Sequence, residues 1–233
     1  RLEYYSLLYA IESALKNECD SFVSAELGSA WGPWTAASSV ISKNAGFKYS
    51  SHIAVEANKH HLKKLRSCIE INEIQNCKVL EGVAWDTDTT VKFPCSDSMD
   101  YGASAEQDAE TFKIKDTKRQ NLDLEDTTAF SLETILENNP IVNFLHIDIQ
   151  GAERRVVPNS IKLLNEKCPF VMIATHSRAI EGTIVETLFE ENWDIVAERP
   201  CSFEYNLKRG SLEKMTLTDG LIFARNTRLV ESL

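Results

Sequence analysis

The sequence predicts an α/β fold, a mainly parallel sheet with helices on both faces, from three observations. Short apolar runs alternate with longer amphipathic ones along most of the chain, which is the order that successive βα units produce. The first apolar run, Phe22-Val23, leads through the acid Glu26 into a turn of small residues, Gly28, Ala30 and Gly32. Two later runs, one closing at Glu56 and one near Asp148, also place an acid at the end of an apolar strand.

Element by element, an amphipathic helix over 2–15 opens the chain, within an N-terminal segment 1–20. Strand 22–27, helix 34–42, strand 53–56, helix 59–74 and strand 78–83 follow. The second half reads as strand 143–149, a turn at Gly151 into a helix, helix 161–165, strand 170–175, helix 179–191 and strands 194–198 and 217–224. No helical pattern separates the last two strands, so they are expected to pair as an antiparallel edge. The stretch 86–130 interrupts the rhythm. It is rich in Asp, Glu, Ser and Thr, with brief apolar islands such as Val91-Lys92-Phe93 and Phe112-Lys113-Ile114, and it cannot bury much core alone. A hairpin with a mobile flap is expected there, a disordered surface insertion being the alternative. The loop 200–216, with Phe203, Tyr205, Lys208 and Arg209, joins the last two strands. At 233 residues and 43% hydrophobic content, one domain over 1–233 suffices.

The turn after the first strand sets the ligand class. Its small residues keep Cβ bulk away from the bend, so a ligand can lie against backbone and the amides of the helix start. A dinucleotide fingerprint wants G-x-G-x-x-G, whereas here the spacing is Glu-x-Gly-x-Ala-x-Gly over Glu26, Gly28, Ala30 and Gly32. That pattern resembles the first motif of Rossmann-like S-adenosylmethionine (SAM) methyltransferases, in which the acid lies near the amino group of the methionine part. Glu56 ends the second strand, where a carboxylate accepts both hydroxyls of a ribose. Asp148 should face the same crevice, because ligands of open α/β sheets sit outside the carboxyl ends of the strands.

The run Ile147-Asp148-Ile149-Gln150-Gly151-Ala152-Glu153 resembles the Ile-Asp-x-Glu-Gly-x-Glu pattern of FkbM-type methyltransferases. The resemblance extends to Val55-Glu56-Ala57, Gly82-Val83-Ala84, Ser131-Leu132-Glu133-Thr134-Ile135-Leu136 and Thr175-His176-Ser177, and so covers most of residues 22 to 225. It implies a seven-stranded, mostly parallel sheet with an antiparallel edge strand, SAM as cofactor, and a site drawn from Glu26, Gly28, Ala30, Gly32, Glu56, Ala57, Val83, Ala84 and Asp148. The chain departs from the pattern twice, with His146 where Lys is common and Gln150 where Glu is common. Any role of the family's Glu as base or metal ligand would fall to Asp148 or Glu153.

An alcohol is a poor nucleophile until its proton is taken, so a carboxylate or imidazole beside it is expected. Asp148 is the first candidate, His176 at the end of the next strand the second, and Glu153 the third. No ligand run of diagnostic spacing calls for a metal. The reading is an O-methyltransferase acting on a hydroxyl of a sugar, glycan or related small natural product, the acceptor class coming from the resemblance. The alternatives are an NAD-type oxidoreductase and a non-catalytic SAM-binding domain. The insertion and the loop 200–216 are the expected walls of the acceptor site.

A net charge of −10 and a pI near 5.1 disfavour nucleic acid as a partner, since the Lys59–Lys64 and Lys115–Arg119 clusters are short. No run is long enough to span a bilayer and no signal peptide opens the chain, so a cytoplasmic location is expected. The chain begins at Arg1 rather than Met, which leaves it open as a piece of a longer polypeptide. The six cysteines, Cys19, Cys68, Cys77, Cys95, Cys168 and Cys201, form no C-x-x-C pair and read as reduced thiols.

Overall fold

The computed structural model describes residues 2–94, 103–105, 123–210 and 212–230. Seven strands form the central sheet: β1 (Ser21–Leu27), β2 (Tyr49–Glu56), β3 (Cys77–Glu81), β7 (Phe144–Ile147), β8 (Phe170–Thr175), β9 (Trp193–Arg199) and β12 (Gly220–Asn226). Their spatial order is β3-β2-β1-β7-β8-β12-β9. The β1–β2, β2–β3, β1–β7 and β7–β8 pairs are parallel, and β12 runs antiparallel to both neighbours. The last two strands of the sheet in chain order, β9 and β12, pair antiparallel as expected, with β9 at the edge and β12, the strand of reversed direction, one place in. Burial explains the order: β12 hides six of its seven residues and requires cover on both sides, whereas β9 is largely exposed or half-exposed.

Strand alternation divides the core into two faces. Phe22, Phe144, Phe170, Met172 and Phe223 pack on one face with α1 (Leu2–Lys16), whose buried Leu7, Ala10, Ile11 and Ala14 repeat at helical spacing. Beside α1 on that face is α2 (Pro33–Ala45). The helix α3 (Lys59–Ile71) brings Leu62 and Leu65 onto Ala54 of β2. Residues an odd number of positions away in the same strands, such as Leu27, Leu145, Val171, Ile173 and Ile222, point to the opposite face. There they meet Val156 and Val157 of α5 (Glu153–Asn159), Leu164 of α6 (Ile161–Lys167) and Ile180, Ile184 and Leu188 of α7 (Arg178–Glu190).

The run expected as strand 78–83 breaks at Gly82. A Cβ there would lie 2.3 Å from the Thr128 carbonyl oxygen, so only glycine lets the chain leave the main sheet at this point. Val83–Ala84 then forms β4 of a second sheet with β5 (Thr89–Pro94) and β6 (Leu124–Phe130), in the order β4-β6-β5. The β5–β6 pair is antiparallel. The flap expected between these strands lies outside the described residues, apart from 103–105. A short helix, α4 (Leu132–Ile135), follows, capped by Ser131. The loop 200–216 contains a small antiparallel pair, β10 (Ser202–Phe203) with β11 (Thr216–Thr218), and α8 (Leu212–Met215). The last helix is α9 (Thr227–Val230). No described helix is long and apolar enough to cross a membrane.

Candidate functional site

The turn leaving β1 is set by backbone contacts. Gly28 and Ser29 both donate their amides to the Val55 carbonyl, at 3.0 and 2.9 Å. Gly28, Ala30 and Gly32 have positive φ of 75°, 47° and 83°. A Cβ on Gly28 would sit 1.9 Å from the Asp148 carbonyl oxygen, and one on Gly32 would meet the Leu65 side chain at 2.5 Å. The sequence reading kept this space for a ligand. At Gly28 the protein's own β7 turn fills it, so the glycine brings Asp148 against β1.

Glu26 lies below this turn, 3% exposed. It accepts the Trp34 and Thr35 amides at 3.2 and 2.7 Å and the Thr35 hydroxyl at 2.6 Å. The preceding Gly32 offers no side-chain cap, so a strand carboxylate does that work for α2. Burial raises its pKa to about 7 against the pull of these hydrogen bonds, with Asp148 adding to the rise. Neither Glu26 nor Gly32 lines the cavity described below.

At the end of β2, Glu56 reaches the turn. Its Oε2 accepts the Ala30 amide at 2.6 Å, and its Oε1 accepts the Asn58 amide at 2.7 Å. His61 Nδ1 lies 3.8 Å from the same Oε1. A carboxylate offers about four lone-pair sites, so each oxygen retains capacity for a hydroxyl. Asn58 caps α3, its Oδ1 taking the His60 and His61 amides at 2.9 and 3.2 Å.

The β7 turn carries the third acid. Asp148 donates its amide to the Leu27 carbonyl at 3.0 Å, and the chain then bends through Gln150 and Gly151 at φ of 53° and 101°. Glu153, with no exposed surface, holds this bend by accepting the Ile149 and Gly151 amides, each at 2.7 Å. His176, from the end of β8, lies between the two acids: Nε2 is 3.2 Å from Asp148 Oδ1 and Nδ1 is 3.1 Å from Glu153 Oε1. The Nδ1 contact is an ion pair whose N–H direction is poor for a hydrogen bond. Burial works against the imidazolium, yet Glu153 and Asp148 together raise the His176 pKa well above 6.5. Burial likewise raises the Asp148 carboxyl, but His176, with help from His146 and Gln150, brings it below the usual carboxylate range. The Asp148 side chain remains 39% exposed, and Gln150 Nε2 donates to its Oδ1 at 3.3 Å.

Ligand atoms from Asp148, Glu153 and His176 all lie within 4.8 Å of one another. His176 faces the two acids through opposite ring nitrogens, and both Glu153 oxygens already accept backbone amides. The three groups are close enough to share a cation, but Glu153 would have to do so with oxygens already engaged by the Ile149 and Gly151 amides. The trio is a compact triangle, an imidazole in contact with two carboxylates that themselves lie close together.

One cavity collects most of the residues expected from sequence. Gly28, Ala30, Glu56, Ala57, Val83, Ala84 and Asp148 line it. His176 stands behind Asp148, and Glu153 stands behind His176, too enclosed to touch a substrate. The lining residues that sequence reasoning missed include Asn58, His61, Phe93, Ala103, Ala105 and Gln150. An Asn placed just before a helix was a visible cap signal, but nothing local marks Phe93 as a wall residue. In the loop 200–216, Phe203 packs under the Arg178 guanidinium at 5.5 Å, two residues beyond His176, while Tyr205 is 68% exposed.

The strand order, the acid-and-glycine turn after β1 and the acids closing β2 and β7 are those of a Rossmann-like methyltransferase fold. Residues 23–205 match the family model of the methyltransferase FkbM domain, and the chain belongs to that family. A relative from Jannaschia sp. (strain CCS1), named "Putative methyltransferase", is 27% identical over 182 residues, covering 76% of this chain and 63% of its own length. The crystal structure of methyltransferase FkbM from Methylobacillus flagellatus KT aligns with a TM-score of 0.53 at 15% identity, over 88% of this chain and 44% of that one. At that identity the likeness speaks to the fold. The chain thus spans less than two thirds of the length of either protein.

Proposed function

We propose that the protein is a SAM-dependent O-methyltransferase acting on a hydroxyl of a sugar, a glycan or a related small natural product. The observation that carries this reading is the convergence, in one cavity, of the Gly28–Ala30 turn, the Glu56 carboxylate and the strand-end Asp148. The residues fit the cofactor: Glu56 keeps lone pairs for a ribose diol, and the small residues Gly28, Ala30, Ala57, Gly82 and Ala84 leave room beside it. When bound, SAM supplies a methyl group already activated by the sulfonium.

The chain's own residues then have to place a hydroxyl and accept its proton. Gln150 and His176 both engage Asp148 through Oδ1, which leaves Oδ2 for the acceptor hydroxyl. His176, held charged, keeps Asp148 ionised at neutral pH, so Asp148 rather than His176 is the base in this reading. A carboxylate so stabilised is a weak base, and most of its contribution lies in orienting the hydroxyl. Glu153 acts through His176 and is a positioning residue.

Two measurements test the reading. Calorimetry should give low-micromolar binding of S-adenosylhomocysteine, roughly −7 to −8 kcal/mol, and none of NAD. Labelled-methyl transfer to a panel of hydroxylated acceptors should then proceed and fall about a hundredfold or more in Asp148→Asn, with cofactor affinity little changed. Absence of S-adenosylhomocysteine binding would overturn the cofactor. Binding with transfer only to amines or thiols would overturn the acceptor class, and activity lost on chelation and restored by a divalent ion would make Asp148 a ligand instead of a base.

A further inference from the structure

Part of the cavity wall lies outside the family motifs. Beyond Glu56 its lining turns apolar, through Val83 and Ala84 of β4, Phe93 of β5, and Ala103 and Ala105. The last three belong to the insertion that the sequence reading placed over the acceptor. Phe93 is only 6% exposed and, with Val91, faces the core, while Thr89 and Thr90 of the same strand face solvent. The wall is fixed on two sides. Along one, Trp85 donates its amide to the Phe130 carbonyl at 2.8 Å, and β4 pairs with β6 at Val83–Ala129 and Ala84–Phe130. Along the other, Lys59 at the start of α3 meets Glu125 of β6 at 2.5 Å. The hairpin is thereby tied to the helix that Asn58 caps, beside Glu56.

Asn58 adds an oriented donor at this end. Because Oδ1 is committed to the His60 and His61 amides, the carboxamide cannot be flipped, and Nδ2 remains a donor with no partner among the described residues. An apolar slot of Val83, Ala84, Phe93 and Ala105, with a fixed N–H donor beside a carboxylate that can take a diol, is complementary to a nucleoside whose base is flat, apolar on its faces and an acceptor at its edge.

Resting on the reading of this cavity as the cofactor site, we propose that the β5–β6 hairpin belongs to that site: Phe93 contacts the base of the bound nucleoside, Ala105 leaves room for it, and Asn58 donates to it. The insertion is thus a cofactor wall. A bound nucleoside then packs against the hairpin as well as filling the cavity.

The test uses S-adenosylhomocysteine as probe and needs no turnover. Calorimetry should show Phe93→Ala weakened about tenfold to a hundredfold, the range of base–aromatic contacts, with Phe93→Leu in between. Ala105→Leu, which fills the slot without removing a contact, should weaken binding similarly, and Asn58→Ser, which keeps a helix cap, about tenfold. Thermal melts of the free proteins identify variants that fold, and Ala105→Leu guards against Phe93→Ala failing to do so. Hydrogen exchange in peptides covering 89–94 and 124–130 should slow when the wild-type protein is saturated. If the wild type binds and the folded variants bind equally well with unchanged exchange, the inference falls and the proposed function stands. If the wild type does not bind, both fall.

Discussion

Glu153 Oε1 lies 3.1 Å from His176 Nδ1 and has no exposed surface. A buried carboxylate thus stands behind an imidazole whose other nitrogen faces Asp148 at the cavity. Glu153 and Asp148 favour the charged form of His176, and the imidazolium in turn favours the Asp148 carboxylate.

Glu153→Gln should lower the His176 pKa toward the ordinary histidine range, read by NMR titration of the imidazole. The sign follows from linkage. With its folded pKa raised above 6.5, His176 contributes stability that is full below 6.5 and lost as pH rises through the folded value. In Glu153→Gln that loss should move to lower pH. An unmoved His176 titration would remove Glu153 from the positioning role.

Glu56→Ala should weaken S-adenosylhomocysteine by at least about tenfold, since the ribose loses a charged acceptor. The same change leaves the Ala30 and Asn58 amides without their partner, so the free protein should lose about 1–3 kcal/mol in urea unfolding. Unchanged affinity in a folded variant would take Glu56 out of the site.

Gly28→Ala should destabilise the fold by several kcal/mol or abolish soluble expression. The added Cβ falls 1.9 Å from the Asp148 carbonyl oxygen, and backbone on both sides must move. Gly46→Ala is the control: its φ is +95° but nothing lies within 4 Å of the new Cβ, so it should cost only the left-handed penalty of about 1–2 kcal/mol. Equal losses in the two variants would show that the contact with Asp148 is unimportant.

Acidification should destabilise the protein between pH 6.5 and 4. Burial lowers His52 and His146 to about 4, so in this window the unfolded chain binds protons that the folded one refuses, a loss of about 3 kcal/mol for each histidine. Glu26 opposes this, because its folded pKa of about 7 makes folding more favourable as pH falls from 7 to 4.5. The net loss should be about 3 kcal/mol, measured by urea unfolding at a series of pH values, and His146→Leu should flatten it. A stability that rises across this window would overturn the assignment of the two histidines as buried and neutral.

The acids and glycines were legible in sequence because each follows from a local rule. An apolar strand that ends at an acid and turns over small residues states its position at the rim of an α/β sheet, and so Glu56 and Asp148 could be placed on one crevice. Their division of labour was not legible. Glu26 and Glu153 carry the same kind of signal as Glu56 and Asp148, yet the first is consumed in capping α2 and the second in closing the β7 turn. Phe93 had no local mark, since an aromatic in a polar insertion reads as an isolated apolar island until β4 and β6 are seen to pair.

By itself, then, the sequence determined the alternation of strands and helices and the acid-ended strands, because periodicity and turn chemistry act over a few residues, and its motifs carried the family resemblance. The tertiary structure decided that β12 inserts between β8 and β9, that Gly28 makes room for the Asp148 backbone, and that His176 bridges two acids. Those outcomes depend on contacts between segments 20 to 120 residues apart, whose distances and burial are set only when the sheet has formed.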